Sequence, residues 1–489
     1  MSGYSGGVDG LTQPRSRPVA RPTATRAETK QDTAESLAEL CERFEALCAS
    51  AVDPLEIAAA LESDGLSDQA ARVRYGVRDV FALAERMYCE VPRDPIEPDE
   101  APDPWRSPVS RHLLHGVLFG LPALCYPVAA SLLTGGALTM LVVAALVSWA
   151  ISQGMSYLGH YRLGRLDQDG SRRILRAGLL LGIVVLAGVL AAAGALVHAR
   201  LPVLLFAYGQ GIYLLGATVL LVAGVEFWLL GALGPAVGVG GVYLLLGQPA
   251  GLHRAAWLAL VASVVLVVVL ALVRSSWPRP APARRVRLAE LRLAAPYAIF
   301  GVLVAGLLMF PLVGAAISDN GPGVSNTALM ATLPLSLSMG VAEWMLYWYR
   351  RRIRRLLRQT RLVTEFAGRS RLVLASALTR YALGAVLLMA ALVGIAALTG
   401  HHPKRADLAW YGGYLAVGAA LFLALLLQAL GAVGAVLAWC SSAVAVEAVL
   451  VFSAPDAPVM RVQLVIGCGL LWGLLLNAGI VLARATRHR

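Results

Sequence analysis

The sequence predicts an all-α polytopic membrane protein, with about twelve transmembrane helices in two six-helix halves and a small cytoplasmic helical domain at the N-terminus. Three observations predict it. Of 489 residues, 58% are hydrophobic and only 15% charged, and the mean hydropathy is +0.67, whereas a soluble domain carries roughly 25% charged residues. After Arg111, apolar runs of twenty or more residues follow one another to the C-terminus, each long enough to cross about 30 Å of hydrocarbon. Basic residues then crowd alternate loops. Only Lys30 and Lys404 are lysines, which with the Ala, Val, Leu and Gly usage points to a GC-rich bacterial genome.

The net charge of +12 divides unevenly: residues 1–30 carry +3, residues 31–104 carry −12 and residues 105–489 carry +21. Residues 1–30, rich in Pro, Arg, Thr, Ser and Gly without an apolar core, read as a disordered basic tail and not as a signal peptide, which keeps the N-terminus in the cytoplasm. Residues 31–91 read as an acidic bundle of four short helices. Leu37, Leu40, Cys41, Phe44, Leu47 and Cys48 form the apolar stripe of the first. Asp53-Pro54 caps a second that stops at Gly65, Ser67 caps a third ending at Tyr75, and a fourth runs from Asp79 to Val91. Carboxylates Glu56, Glu62, Asp64 and Asp68 would repel phosphate, so this hairpin is not a nucleic-acid reader. Residues 92–107, with five prolines, are a stiff acidic linker.

The first six-helix half spans 108–274, a Pro/Arg-rich cytoplasmic connector 275–292, and the second half 293–489. The twelve runs lie at 112–133, 136–159, 175–198, 202–223, 225–246, 254–274, 293–317, 326–348, 374–399, 408–430, 432–453 and 462–483; runs four and five are fused, as are ten and eleven. With the N-terminus inside, cytoplasmic loops and adjoining helix ends hold twenty-five basic residues against five outside, namely Arg200, Arg254, Lys404, Arg405 and Arg461. Both termini are therefore expected in the cytoplasm of a bacterial plasma membrane. Cysteines 41, 48, 89, 125, 440 and 468 form no CxxC pair or metal spacing, and no phosphate-binding loop or catalytic set occurs on a cytoplasmic segment. No metal, cofactor or enzymatic activity is expected.

The halves also match residue by residue. Gly116-Val117-Leu118 and Tyr126-Pro127 of helix one correspond to Gly301-Val302-Leu303 and Phe310-Pro311 of helix seven, and Gln153 to Tyr157 of helix two to Glu343 to Tyr347 of helix eight. In this layout residues 108–489 resemble the multidrug/oligosaccharidyl-lipid/polysaccharide exporter superfamily, particularly its polysaccharide-flippase-like members in actinobacteria. The resemblance implies an exporter that moves an amphipathic solute or lipid-linked saccharide by alternating access through a cavity lined by helices one, two, seven and eight. It places Tyr126, Gln153, Phe310 and Glu343 near that cavity. Flippases for pyrophosphate-linked sugars present arginines there; these four helices have none away from their ends.

Ionisable groups inside apolar runs are functional candidates. They are Glu226 in helix five, Glu343 in helix eight, Arg380 in helix nine and Glu447 in helix eleven. Glu343 is either a cavity group that binds a proton, cation or hydroxyl, or a structural partner of Arg380. Glu226 and Glu447 on corresponding helices would suit a proton-coupled multidrug antiporter. His112, His115 and His160 at helix ends read as solvated or head-group residues. Tyr349 to Arg371 holds nine arginines; it reads as a helix lying at the inner leaflet, with Arg350, Arg351, Arg352, Arg354, Arg355 and Arg358 on anionic membrane lipids. The expected function is export or flipping of a cell-envelope saccharide or lipid-linked precursor. The alternatives are a non-transporting scaffold for envelope assembly, division or sporulation, binding a cytoplasmic protein through residues 31–91, and the antiporter.

Overall fold

The computed structural model describes residues 36–91, 109–124, 128–129, 136–276, 288–317, 326–359, 363–398, 407–453 and 459–481. They form two compact units, divided after Pro104. The N-terminal unit holds α1 (Leu37–Arg43), α2 (Glu45–Ser50), α3 (Pro54–Ser63), α4 (Asp68–Tyr75) and α5 (Val80–Glu90). Its caps are the expected ones. Asp53, Ser67 and Asp79 each accept a hydrogen bond from the first turn of the helix that follows, and Gly65 and Gly76 take the left-handed φ of +88° and +67° that ends a helix. The single first helix expected from Leu37 to Cys48 is instead two, broken at Phe44. Leu40, Ile57, Leu61, Leu83 and Met87 are wholly buried, each stabilising the unit by roughly 1.5–3 kcal/mol.

The second unit is built of α6 (Val109–Gly120), α7 (Gly136–Leu163), α8 (Gln168–Leu196), α9 (Leu201–Val222), α10 (Glu226–Leu245) and α11 (Ala250–Ser275), then α12 (Leu288–Ile317), α13 (Asn326–Gln359), α14 (Val363–Leu398), α15 (Asp407–Ala429), α16 (Val433–Ser453) and α17 (Val459–Val481). Twelve helical segments thus occupy the twelve predicted positions. Among the described residues, ten are long and apolar enough to cross a membrane by length and composition. The other two segments are α6, whose helix passes into a 3-10 turn at Leu121–Leu124, and α13.

Both fused runs are divided by a glycine. Gly224 and Gly431 adopt φ of +68° and +76°, and Val225 and Ala432 donate back to the carbonyls of Leu220 and Leu427. Pro235 interrupts α10, and the Ala236 N–H beside it is satisfied by the Ser263 hydroxyl of α11 at 3.0 Å. The arginine-rich stretch is not a separate surface helix: residues up to Gln359 continue α13 and residues from Val363 begin α14. Continuing α13 keeps its backbone hydrogen bonds within the helix and buries Tyr349, Ile353 and Leu356 in the core of the second half.

Candidate functional site

The two halves meet where α6 lies against α13 and α7 against α12, and glycines at repeat-related positions make both contacts possible. A Cβ on Gly116 would come within 2.7 Å of the Leu337 carbonyl oxygen, one on Gly340 would overlap the His112 carbonyl, and one on Gly301 would lie 2.7 Å from the Trp149 carbonyl oxygen. Gly116 and Gly301 are the residues paired in the sequence repeat, and each lets its helix touch backbone of the other half. Helices this close leave little room for polar side chains unless those groups satisfy one another.

Five ionisable groups do so beside the α6–α13 contact. His115, on α6, places Nδ1 2.6 Å from Oε2 of Glu343 on α13, and Nε2 3.2 Å from Oε1 of Glu226 in the first turn of α10. Arg111, one turn earlier on α6, donates from Nε to the same Glu226 oxygen at 2.9 Å. His112 stands with Nδ1 3.4 Å from Glu343 Oε2 and its ring 4.7 Å from that of Tyr347. Glu226 and His112 are nearly inaccessible, at 7% and 4% side-chain exposure, whereas Glu343 at 33% and Arg111 at 48% reach the surface.

This geometry fixes a proton count. Both imidazole nitrogens face carboxylates, and a neutral imidazole carries only one N–H, so both contacts are hydrogen bonds only if His115 is an imidazolium or one carboxyl is protonated. With His115 charged, two cations and two carboxylates balance. Removing that proton leaves the ring one N–H for two carboxylates: Glu226 keeps the Arg111 guanidinium, and the link between the halves then rests on whichever contact His115 keeps and on His112, 3.4 Å from Glu343.

A second polar contact joins the halves at the same end. Arg162 of α7, 4% exposed, donates to Asp167 at 2.8 Å and to Glu290, in the first turn of α12, at 2.6 Å. Asp167 lies in the turn between α7 and α8: burial raises its pKa, but the Gly170 N–H and the Arg162 guanidinium outweigh that and hold it below the ordinary carboxylate range.

Of the residues singled out in the sequence, Glu343 and Glu226 are joined through His115, which was expected to be solvated. Glu343 does not pair with Arg380; the Arg380 guanidinium instead lies 4.2 Å above the Trp348 ring. Gln153 is half-buried on α7, its Cγ 3.0 Å from where a Gly301 methyl would sit, and Phe310 is buried. Glu447, 2% exposed, lies well along α16, unlike Glu226 at the start of α10, so the two are not repeat-equivalent. Glu447 Oε1 is buried without a hydrogen bond among the described residues. Tyr126 lies outside the described residues. Among those that are described, no cluster of three or more His, Cys, Asp or Glu is arranged to hold a metal. His112 and His115, read from the sequence as solvated or head-group residues, join this cluster, as does Arg111, which the sequence did not single out. Their spacing at the start of a helix assigned to the cavity was the available signal.

No protein-family model and no curated protein matches the chain. Among solved structures, one neighbour is the inward-facing conformation of a multidrug resistance MATE family transporter of the MOP superfamily, at 13% identity and a TM-score of 0.46 over 78% of this chain and 96% of that one. Another is a point mutant of a MATE protein, at 12% identity and a TM-score of 0.47 over 78% and 98%. At these values neither lends a residue role to this chain.

Proposed function

We propose that the chain is a membrane exporter that works by alternating access, with a proton on the His115 cluster clasping its two halves. The observation that carries this reading is the bridge from Glu226, in the first half, through His115 to Glu343, in the second. A titratable link across a seam is what proton-coupled opening requires. Protonated, His115 holds both carboxylates and the seam stays shut; deprotonated, it can donate to only one and loses its charge, so the link across the seam weakens. We assign this end to the cytoplasm on its basic loops; in this reading the arrangement clasped here and at Arg162–Glu290 is the one closed to the cytoplasm. In this reading the protein is a plasma-membrane transporter and not an enzyme.

The cargo we assign first is a cell-envelope saccharide or lipid-linked precursor, on the layout that resembles polysaccharide flippases. The arginines near the seam are already engaged, Arg111 by Glu226 and Arg162 by Asp167 and Glu290, which disfavours a pyrophosphate head group. The carboxylates favour a second cargo class, amphipathic cations exchanged for protons. The scaffold reading draws on the N-terminal unit, where Val52, Leu55 and Val73 stand 60% or more exposed on an acidic surface and could dock a cytoplasmic protein.

Glu343→Gln, brought to wild-type abundance in the membrane, tests these readings together. In proteoliposomes with an imposed pH gradient we expect wild-type protein to move either an ethidium-like cation or a lipid-linked saccharide, and the variant to lose gradient dependence for whichever is moved. A variant that complements a gene deletion fully and transports like wild type would remove Glu343 from the mechanism. The scaffold reading would then lead.

A further inference from the structure

The α13–α14 hairpin carries a second polar feature, away from the His115 cluster. Trp348, Arg351, Arg352 and Arg355 form one stripe of α13, and Arg380 faces them from α14; together they line a groove of about 530 Å³ open to the surface. The structure thereby separates the arginines of this segment into two sets. Arg351, Arg352 and Arg355 enter the groove, while Arg350, Arg354 and Arg358 do not.

Depth along the hairpin says what the groove could take. About twenty helical residues cross the hydrocarbon; on α14 the charge-free run 381–398 begins directly after Arg380, and on α13 Trp348 stands just ahead of the arginines that begin at Arg350. Both residues therefore lie at the boundary between hydrocarbon and head groups, the level at which tryptophan and arginine side chains settle. Beyond that boundary the groove continues between arginines. On the hydrocarbon side, the stripe that contains Arg380 continues as Leu383 and Leu387, 58% and 60% exposed. Among the described residues Arg380 has the Trp348 ring as its partner, a contact that orients the guanidinium and leaves its N–H donors available.

We propose that this groove binds the phosphate head group of an anionic membrane lipid, preferably one bearing two phosphates, with an acyl chain against Leu383 and Leu387. Arg380 and Arg352 hold the phosphate oxygens through paired N–H donors, a geometry guanidinium offers and ammonium does not. The apolar continuation selects a lipid over a free anion. Basic pockets between membrane helices are the setting in which two-phosphate lipids are retained, and the site does not depend on what the protein transports.

Native mass spectrometry of the full chain in detergent, titrated with cardiolipin, phosphatidylcholine or inorganic diphosphate, tests the proposal. One cardiolipin should bind tightly and phosphatidylcholine should not. Each arginine removed should weaken binding about fivefold, so Arg352→Gln with Arg380→Gln should cost roughly 25-fold, while Arg350→Gln with Arg354→Gln, outside the groove, should cost less than threefold. If the first pair lowers the melting temperature without lipid, Arg352→Gln with Arg355→Gln, on the exposed end of α13, takes its place. Equal cardiolipin affinity in groove variants and wild type would overturn the proposal. Diphosphate binding as tight as cardiolipin would overturn the lipid assignment and make the ligand a soluble anion.

Discussion

Gly301→Ala is the sharpest probe of whether the seam opens. The added methyl would sit 2.7 Å from the Trp149 carbonyl oxygen and 3.0 Å from Gln153 Cγ, roughly 0.5–1 Å inside a comfortable contact with the oxygen. Because backbone opposes it, the strain cannot be relieved by turning a side chain; α7 and α12 must separate. Overpacking of this kind costs about 1–3 kcal/mol, and it falls only on the state in which these helices touch, because the better helix propensity of alanine acts in both states alike. It therefore shifts a closed-to-open equilibrium by roughly 5- to 150-fold. Spin labels replacing Arg165 and Arg292, exposed near the basic ends of the two helices, report the change in a background without native cysteines. Double electron–electron resonance should show the longer-distance population growing by that factor. Gly188→Ala, where nothing lies within 4 Å, should leave the distances unchanged and slightly raise thermal stability. An unchanged distribution in Gly301→Ala, with wild-type melting behaviour, would refute the argument that this contact belongs to one of two states.

Other perturbations test the pieces separately. Glu226→Gln gives Arg111 and His115 a neutral amide oxygen in place of their shared carboxylate and should lower thermal stability by about 1.5–3 kcal/mol, with no further loss when Arg111→Gln is added; additive losses in that double-mutant cycle would show that the pair does not interact. Arg162→Gln strands Asp167 and Glu290 together and should raise trypsin or cysteine-labelling access at the basic end of α7 more than at its far end. Leu61→Ala, at a wholly buried position, should cost about 2–5 kcal/mol and abolish amide-exchange protection across α3 to α5 without changing protection in α7 to α17. Asp79 accepts the Ala82 N–H and pairs with Arg78, which hold its carboxyl below the ordinary value of 3.8. Its contribution to the N-terminal unit is therefore present above about pH 4 and fades as pH falls through the lowered value. Asp79→Asn should flatten that acid limb in an exchange-against-pH series.

The sequence by itself determined the helical membrane class, the positions and order of the helical segments and the caps of the N-terminal unit. These follow from local quantities: unbroken apolar length, basic loops, and Asp or Ser ahead of a helical stripe. It also exposed the repeat, because Gly116 and Gly301 recur where both halves need a helix without a Cβ. What it could not supply was who faces whom. Glu226 and Glu343 looked like separate intramembrane charges, and His115 looked like a solvated end residue, because 111 and 228 positions separate that histidine from its two carboxylates. Only packing α6 between α10 and α13 brings them within hydrogen-bonding distance. The same holds for Arg380, whose register on α14 sets it over Trp348 and away from Glu343. Hydrophobic periodicity records how deeply a helix is buried; the partner of a buried charge depends on helix rotation and approach, which the close glycine contacts of the folded chain decide.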